Sequence, residues 1–389
     1  MKLIQNAKIY SPNPLGQKDV LIAGEKIVAI EDKINVDGLG IDVEVIDAAG
    51  KIMFPGFIDN HVHILGGGGE GGYKTRTPEL VLSTLIKGGV TTVVGCLGTD
   101  GITRSMENLI AKAKGLKEEG VSCYIYTGSY DVPVKTLTGE IRSDIILIEE
   151  VIGVGEIALS DHRSSQPTYG ELARIVSDAR VGGMLSGKAG VVNIHLGDSP
   201  EMLSLMEEVT AKTPLPMYHF IPTHINRNPE LFEAGVAYAL KGGNVDFTTS
   251  TTPEFLKEGE VKCSKGLKIM LESGVDIETV TFSSDGQGSL PLFDVDGNLI
   301  GLKVGTSESL YREVIDAVKE ENVPIETAIK VITSNPAGKL KLKNKGEVKS
   351  GNDADIVLVS GDTLEITDVI SRGQMMMDNG CLLVKGTFE

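Results

Sequence analysis

Apolar positions fall into three textures along the chain. Residues 1 to about 55 carry short β-branched runs separated by turn residues, as in DVLIAGEKIVAIEDK and VEVIDAAGKIM, and this pattern predicts hairpins. The final stretch, from about 346, repeats the texture in GEVKSGNDADIVLVSGD and MMMDNGCLLVKGTFE, with Gly, Asn and Asp between short strands. Residues 1–55 together with 346–389 are therefore expected to form one small β domain. From 56 to 345, apolar runs of strand length alternate with amphipathic runs of helix length, the pattern of βα units around a parallel sheet. Eight strand candidates stand out: FIDNHVH (57–63), TTVVGCLG (91–98), SCYIYTG (122–128), VIGVGEIAL (151–159), VVNIHLG (191–197), MYHFIPTH (217–224), NVDFTTS (244–250) and VTFSSDG (280–286). PELVLSTLIKGG, SMENLIAKAKGLKEEG and PELFEAGVAYALKGG are among the helices, each ending in Gly. The class predicted is α/β, a (β/α)8 TIM barrel, with a doubly wound open sheet as the structural alternative. KLKLKNK (339–345) reads as a solvated connection back to the β domain.

With 389 residues, 41% of them hydrophobic, the chain can bury one large core and an accessory domain. A formal net charge of -17 argues against nucleic acid or an anionic membrane as partner, since both call for a basic footprint. The start, MKLIQNAKIYSPNP, has no apolar run of leader length, and no stretch approaches the ~20 apolar residues that span a bilayer. A cytoplasmic protein is expected. Cys96, Cys123, Cys263 and Cys381 lie far apart without a CxxC pair, so buried free thiols are expected, not disulfides or a thiolate zinc site.

His61 and His63 are two apart on the first predicted strand, so their side chains share a face and can hold one ion together. Alone, such a pair is often plain surface. Here His195 ends the fifth strand, His224 the sixth and Asp285 the eighth, which in a barrel gathers all of them on one rim. Four of the chain's 6 histidines fall on these strand ends, far more than chance placement gives. Imidazoles with a carboxylate suit Zn²⁺, and Mn²⁺, Co²⁺ or Fe²⁺ as well. His219 has the opposite parity to His224, and His162 sits in a loop beside Asp161 and Arg163, so core or supporting roles are expected of both. Asp59 shares parity with the histidine pair, as a hydrogen-bond partner inside the barrel or as an ordinary strand acid.

Through PGFIDNHVH (55–63), the later His and Asp positions, TSNPAGKL (333–340) and GNDADIVLV (351–359), the chain resembles the amidohydrolase superfamily. It is similar, nearly end to end, to the bacterial isoaspartyl dipeptidases in GGGGEGG (66–72), GCLGTD (95–100), TGSYDVP (127–133), SDHRSS (160–165), PTHINRNPELFE (222–233) and SSDGQGS (283–289). This resemblance implies cleavage of the isopeptide bond of β-aspartyl dipeptides by a metal-activated hydroxide, two Zn²⁺ per subunit and a homo-oligomer. It further implies Glu70 for the substrate ammonium, Arg163 and Arg227 for its carboxylates, and Thr99 and Ser289 to help fix it. Tyr130 would donate to the oxyanion, and Asp285 would take the water proton and pass it to the leaving amine. Read without the resemblance, Glu70 is equally a solvated loop acid, either arginine a surface residue, and Thr99 and Ser289 turn or cap hydroxyls. A phosphate cradle in GGGGEGGYKT is excluded, because Tyr73 separates the last Gly from the Lys.

The chain departs from the family on the fourth strand, where a carboxylated lysine usually bridges two metals. VIGVGEIALSDHRS contains no lysine; Glu156, five residues before Asp161, is expected to bridge in its place, reaching the site from three bonds closer to the backbone, with an ordinary hydrogen bond inside the barrel as the other reading. Two other readings compete. A cyclic-amide hydrolase of the dihydroorotase or hydantoinase type shares barrel and ligands, but its substrates carry no ammonium for Glu70 to meet. A catalytically silent barrel acting as a scaffold usually loses ligands, and here the unusual one is still a carboxylate.

Overall fold

The computed structural model describes residues 1–38, 40, 42–293 and 299–389. Among them the two ends of the chain build one nine-stranded sheet. Its seam is Lys51–Pro55 running antiparallel to Ile356–Ser360, with Ile356 opposite Pro55. Ile4, Ile9, Ile22, Met53, Ile356 and Leu358 face a common core there, which draws residues more than 300 positions apart in sequence onto one side of the sheet.

Eight strands between the two ends form the barrel: β1 (Phe57–Val62), β2 (Val90–Gly95), β3 (Ser122–Thr127), β4 (Val151–Leu159), β5 (Val191–Leu196), β6 (Phe220–Thr223), β7 (Val245–Thr248) and β8 (Val280–Ser283). β1 to β6 pair in parallel in that order, and β7 pairs with β8. The ring closes where Asp285 N–H donates to His61 O at 3.2 Å and His63 N–H to Gly286 O at 2.9 Å. On the other side Ile225 N–H donates to Asp246 O at 3.3 Å, joining β6 to β7. The fully buried Asp246 carboxylate reinforces both places, accepting from Asn60, Thr223, Thr281 and Ser283 on β1, β6 and β8. Strands buried on both faces, by the barrel interior on one side and helices on the other, read as continuous apolar runs, which is why they were visible in the sequence pattern. The expected (β/α)8 class with a terminal β-sheet is what the chain adopts.

Four of the helices begin at a residue whose side chain caps them. Ser105, Thr168, Asn228 and Thr252 each accept a backbone N–H of the first turn, and helix Tyr169–Ser186 ends at Gly187 in the left-handed region (φ 73°). Two local expectations are corrected. MYHFIPTH opens as a 3₁₀ turn, Met217–His219, and the strand starts only at Phe220, because His219 N–H is already bonded to Pro216 O at 3.1 Å. KLKLKNK is not simply solvated: Leu340 and Leu342 are buried, and Lys345 is buried against Asp353 (2.8 Å) and Asp355 (2.5 Å). Its charge density hid an alternation of anchored and exposed positions. Among the described residues, no helix is long and apolar enough to cross a membrane.

Candidate metal centre and the pocket beside it

β4, the ends of β1, β5 and β6 and the turn after β8 bring His61, His63, Glu156, His195, His224 and the partly exposed Asp285 into one cluster. Glu156 lies at its middle. Its Oε1 is 3.3 Å from His63 Nε2, and its Oε2 is 3.3 Å from His61 Nε2 and 3.4 Å from His195 Nδ1. Asp285 Oδ1 lies 3.1 Å from His63 Nε2, and His224 Nε2 lies 3.0 Å from His195 Nδ1. Two donor groups result, His61–His63–Cys96–Glu156 and Glu156–His195–His224, each with its ligand atoms within 4.8 Å of one another. Glu156 belongs to both.

These residues fit a divalent ion. His61 Nε2, both Glu156 oxygens and Asp285 Oδ1 are buried without a hydrogen-bond partner. Leaving such atoms unsatisfied costs about 1–3 kcal/mol each, more for charged groups, and a cation among them removes that cost. The Glu156 carboxyl is driven down to about 2, since the surrounding histidines outweigh a burial that alone would raise it. Burial depresses the His61 and His63 imidazoles, but Cys96 and Glu156 beside them lift both well above the ordinary value. His224 is pushed well below it by burial and by His195.

Outer partners fix which ring nitrogen faces the cluster. His61 Nδ1 is 3.0 Å from Asn193 Oδ1, His224 Nδ1 2.5 Å from Thr248 Oγ1, and His195 Nε2 3.0 Å from Asp161 Oδ2. Cys96 Sγ stands 3.8 Å from His63 Nδ1, closer to the cluster than the spacing of the cysteines had indicated. Asn193, Asp161, Thr248 and Cys96 were missed in the sequence; for Asn193 the signal was its parity with His195 on β5. Gly98 is also required here, because a Cβ on it would lie 2.9 Å from His63 Cε1 and 3.3 Å from Glu156 Oε1. Cys96, Cys123 and Cys263 are buried free thiols, whereas Cys381 is exposed, against expectation, on a two-residue edge strand.

Beside the cluster, Glu70 on the Gly-rich loop accepts from Thr99 Oγ1 at 2.9 Å and pairs with Arg163 Nη1 at 3.2 Å. Arg163 lies over the Tyr130 ring, 5.4 Å from its centroid, and Tyr130 Oη is 2.8 Å from His195 Nδ1. Burial, with Glu156 nearby, keeps the Tyr130 phenol well above its ordinary pKa, so it remains a proton donor. Glu70, Thr99, Arg163, Tyr130 and His195 thus form one continuous chain of contacts. Arg227 meets the cluster through its backbone, N–H to His224 O at 3.0 Å, while its guanidinium faces Asp198 at 3.9 Å. Ser289 touches the Gly-rich loop at Gly68, where a Cβ would lie 3.0 Å from the Ser289 Cβ.

The remaining histidines diverge. His219 is buried and bonds Gly190 O (3.0 Å) and Arg180 (2.6 Å), but the His162 side chain is 87% exposed and has no core role. Asp59 accepts from Ser284 N–H at 2.9 Å and Oγ at 2.5 Å, tying β1 to the end of β8, with burial raising its carboxyl to about 6.

With fold and cluster together, the chain belongs to the amidohydrolase family, whose pattern matches residues 52–376. It is similar to a beta-aspartyl dipeptidase from Fervidobacterium islandicum AW-1, solved in complex with beta-Asp-Leu dipeptide: 48% identity, TM-score 0.90, 98% of each chain covered. An adenine deaminase from Listeria monocytogenes is 26% identical over 357 residues, 87% of this chain and 51% of that protein. A dihydroorotase from Staphylococcus epidermidis is 38% identical over 109 residues, 28% of this chain and 24% of that protein. The chain spans about half, or less, of the length of these curated relatives.

Proposed function

We propose that the chain hydrolyses the isopeptide bond of β-aspartyl dipeptides, using two divalent ions, zinc first among them. The reading is carried by the 48% identity over 98% of both chains with a beta-aspartyl dipeptidase. Pocket charge supports it, since Glu70 and Arg163 offer one anion and one cation to a substrate end bearing an ammonium and a carboxylate. His61, His63, Glu156, His195, His224 and Asp285 would hold the ions, with Glu156 shared between them in place of a carboxylated lysine. When bound, such ions lower the pKa of a water to about 7 and polarise a carbonyl.

The chain's own residues do the rest. Glu70, assisted by Thr99, binds the α-ammonium, Arg163 and Arg227 bind the carboxylates, and Ser289 helps fix the dipeptide. Tyr130 donates its phenolic proton in a hydrogen bond to the oxygen that gains charge as the side-chain amide is attacked. Asp285 accepts the proton of the attacking water and delivers it to the departing amine, so the C–N bond breaks without expelling an amide anion. The same proposal has the protein working in the cytoplasm as a homo-oligomer.

The local match to a dihydroorotase favours cyclic-amide hydrolysis as a second reading. It leaves Glu70 without an ammonium to meet. Assay of the purified, metal-analysed protein on β-Asp-Leu, dihydroorotate and hydantoin decides: turnover of β-Asp-Leu alone is expected, and turnover of the cyclic amides alone would reverse the assignment.

A further inference from the structure

Asp161 lies two residues beyond β4 and is 5% exposed. Its Oδ2 lies 3.0 Å from His195 Nε2, which Arg163 Nη2 also approaches at 3.2 Å, and accepts from Arg163 Nη2 at 2.7 Å. A carboxylate only accepts, so its bond to the ring calls for the tautomer with Nε2–H. Its Oδ1 accepts from Arg163 Nε at 2.9 Å and from the Arg163 backbone N–H at 2.7 Å. One carboxylate therefore grips two side chains that belong to different tasks. With Nε2–H spent on Asp161, His195 keeps its Nδ1 lone pair for the cluster, where Glu156 Oε2 is 3.4 Å away. With Nε and Nη2 held, the Arg163 fork is fixed so that Nη1 reaches Glu70 at 3.2 Å. The loop carrying Asp161 is itself pinned by Gly197, since a Cβ at that position would lie 2.6 Å from Asp161 Cα and 2.4 Å from Ser160 O. A carboxylate needed only to neutralise Arg163 would have no reason to sit against a ring of the metal cluster.

We propose that Asp161 is a positioning residue that couples the metal centre to the substrate-binding arginine, setting the His195 tautomer and the Arg163 fork with one group. The proposal rests on reading His195 as a metal ligand and Arg163 as a substrate anchor. Loosening this carboxylate disturbs both at once: metal retention through His195 and substrate affinity through Arg163.

Asp161→Asn tests it with two separate measurements. Zn²⁺ affinity is measured without substrate, by competition with a chromophoric chelator, and is expected to fall about 10- to 100-fold. KM for β-Asp-Leu, measured at saturating metal, is expected to rise about tenfold or more, with kcat falling less. Asp161→Glu, which keeps the charge, should recover part of both. Gly197→Ala, which shifts the loop and keeps the carboxylate, should give the same paired loss in weaker form, and it decides the matter if Asp161→Asn does not fold. Unchanged Zn²⁺ affinity, or an unchanged KM at saturating metal, overturns the coupling. Because the chelator measurement uses no substrate, an enzyme that binds metal but does not cleave β-Asp-Leu overturns the dipeptidase reading and the Arg163 half. A lowered Zn²⁺ affinity in Asp161→Asn would still support the His195 half.

Discussion

On the proposed function, Tyr130 separates binding from chemistry. Its hydroxyl sits 2.8 Å from His195 Nδ1 in a buried position, next to where the attacked carbonyl must lie if the cluster activates the nucleophile. A donor placed there stabilises charge that exists only at the transition state. Tyr130→Phe should therefore lower kcat by about 10²-fold or more at nearly constant KM. A change confined to KM, in steady-state assays on β-Asp-Leu, would reassign Tyr130 to substrate binding. Four cluster histidines were legible in the sequence because four of the chain's 6 histidines fall on strand ends that a barrel gathers on one rim. Asn193, Asp161 and Thr248 were not, since amides, acids and hydroxyls are common everywhere and only packing places them against a ring nitrogen. Resemblance supplied Glu70 and Arg163, and their pairing at 3.2 Å became visible only in three dimensions.

At the level of elements, sequence punctuation did most of the work. All eight barrel strands were readable from apolar runs, and helices from apolar residues at helical spacing before a terminal Gly. What failed was local: a strand start converted to a 3₁₀ turn by Pro216, and a Lys-rich segment whose two leucines decide its burial. Helix Tyr169–Ser186 offers a test of the cap logic. Thr168 Oγ1 accepts from Glu171 N–H, and Glu171 returns the bond to Thr168 N–H at 2.8 Å, a reciprocal box at the start of an 18-residue helix. Thr168→Ala should cost about 1 kcal/mol of unfolding free energy in urea titration. The kinetics should not move, because the helix packs outside the barrel rim; a kinetic defect equal to that of a pocket variant would show that the cap also sets the Arg163 loop.

In the whole molecule, the cluster spans the β8–β1 junction, one of the ring's two thinnest places. Ligand candidates come from β1, β4, β5, β6 and the turn after β8, and the β6–β7 and β8–β1 junctions lack the continuous ladder that joins β1 through β6. Ions held across these strands bind the closed barrel and not the unfolded chain, so they stabilise it, by about 2.7 kcal/mol when free metal is a hundred times Kd. Chelator-stripped protein should melt at a lower temperature, and divalent metal should restore both melting temperature and activity. Glu156 sharpens the prediction. A carboxylated lysine is assembled from CO₂ and can be lost with the metal, whereas Glu156 presents a permanent carboxylate to both donor groups. Recovery should be complete in CO₂-depleted buffer without bicarbonate. Glu156→Ala should bind less metal per subunit, show a smaller metal-induced rise in melting temperature and lose most activity. Glu156→Gln should be nearly as damaging, because a neutral amide is a poorer bridging ligand than an anionic carboxylate. A requirement for bicarbonate, or two metals per subunit with near-native turnover in Glu156→Ala, would remove Glu156 from the bridge and return that role to another residue of the ring.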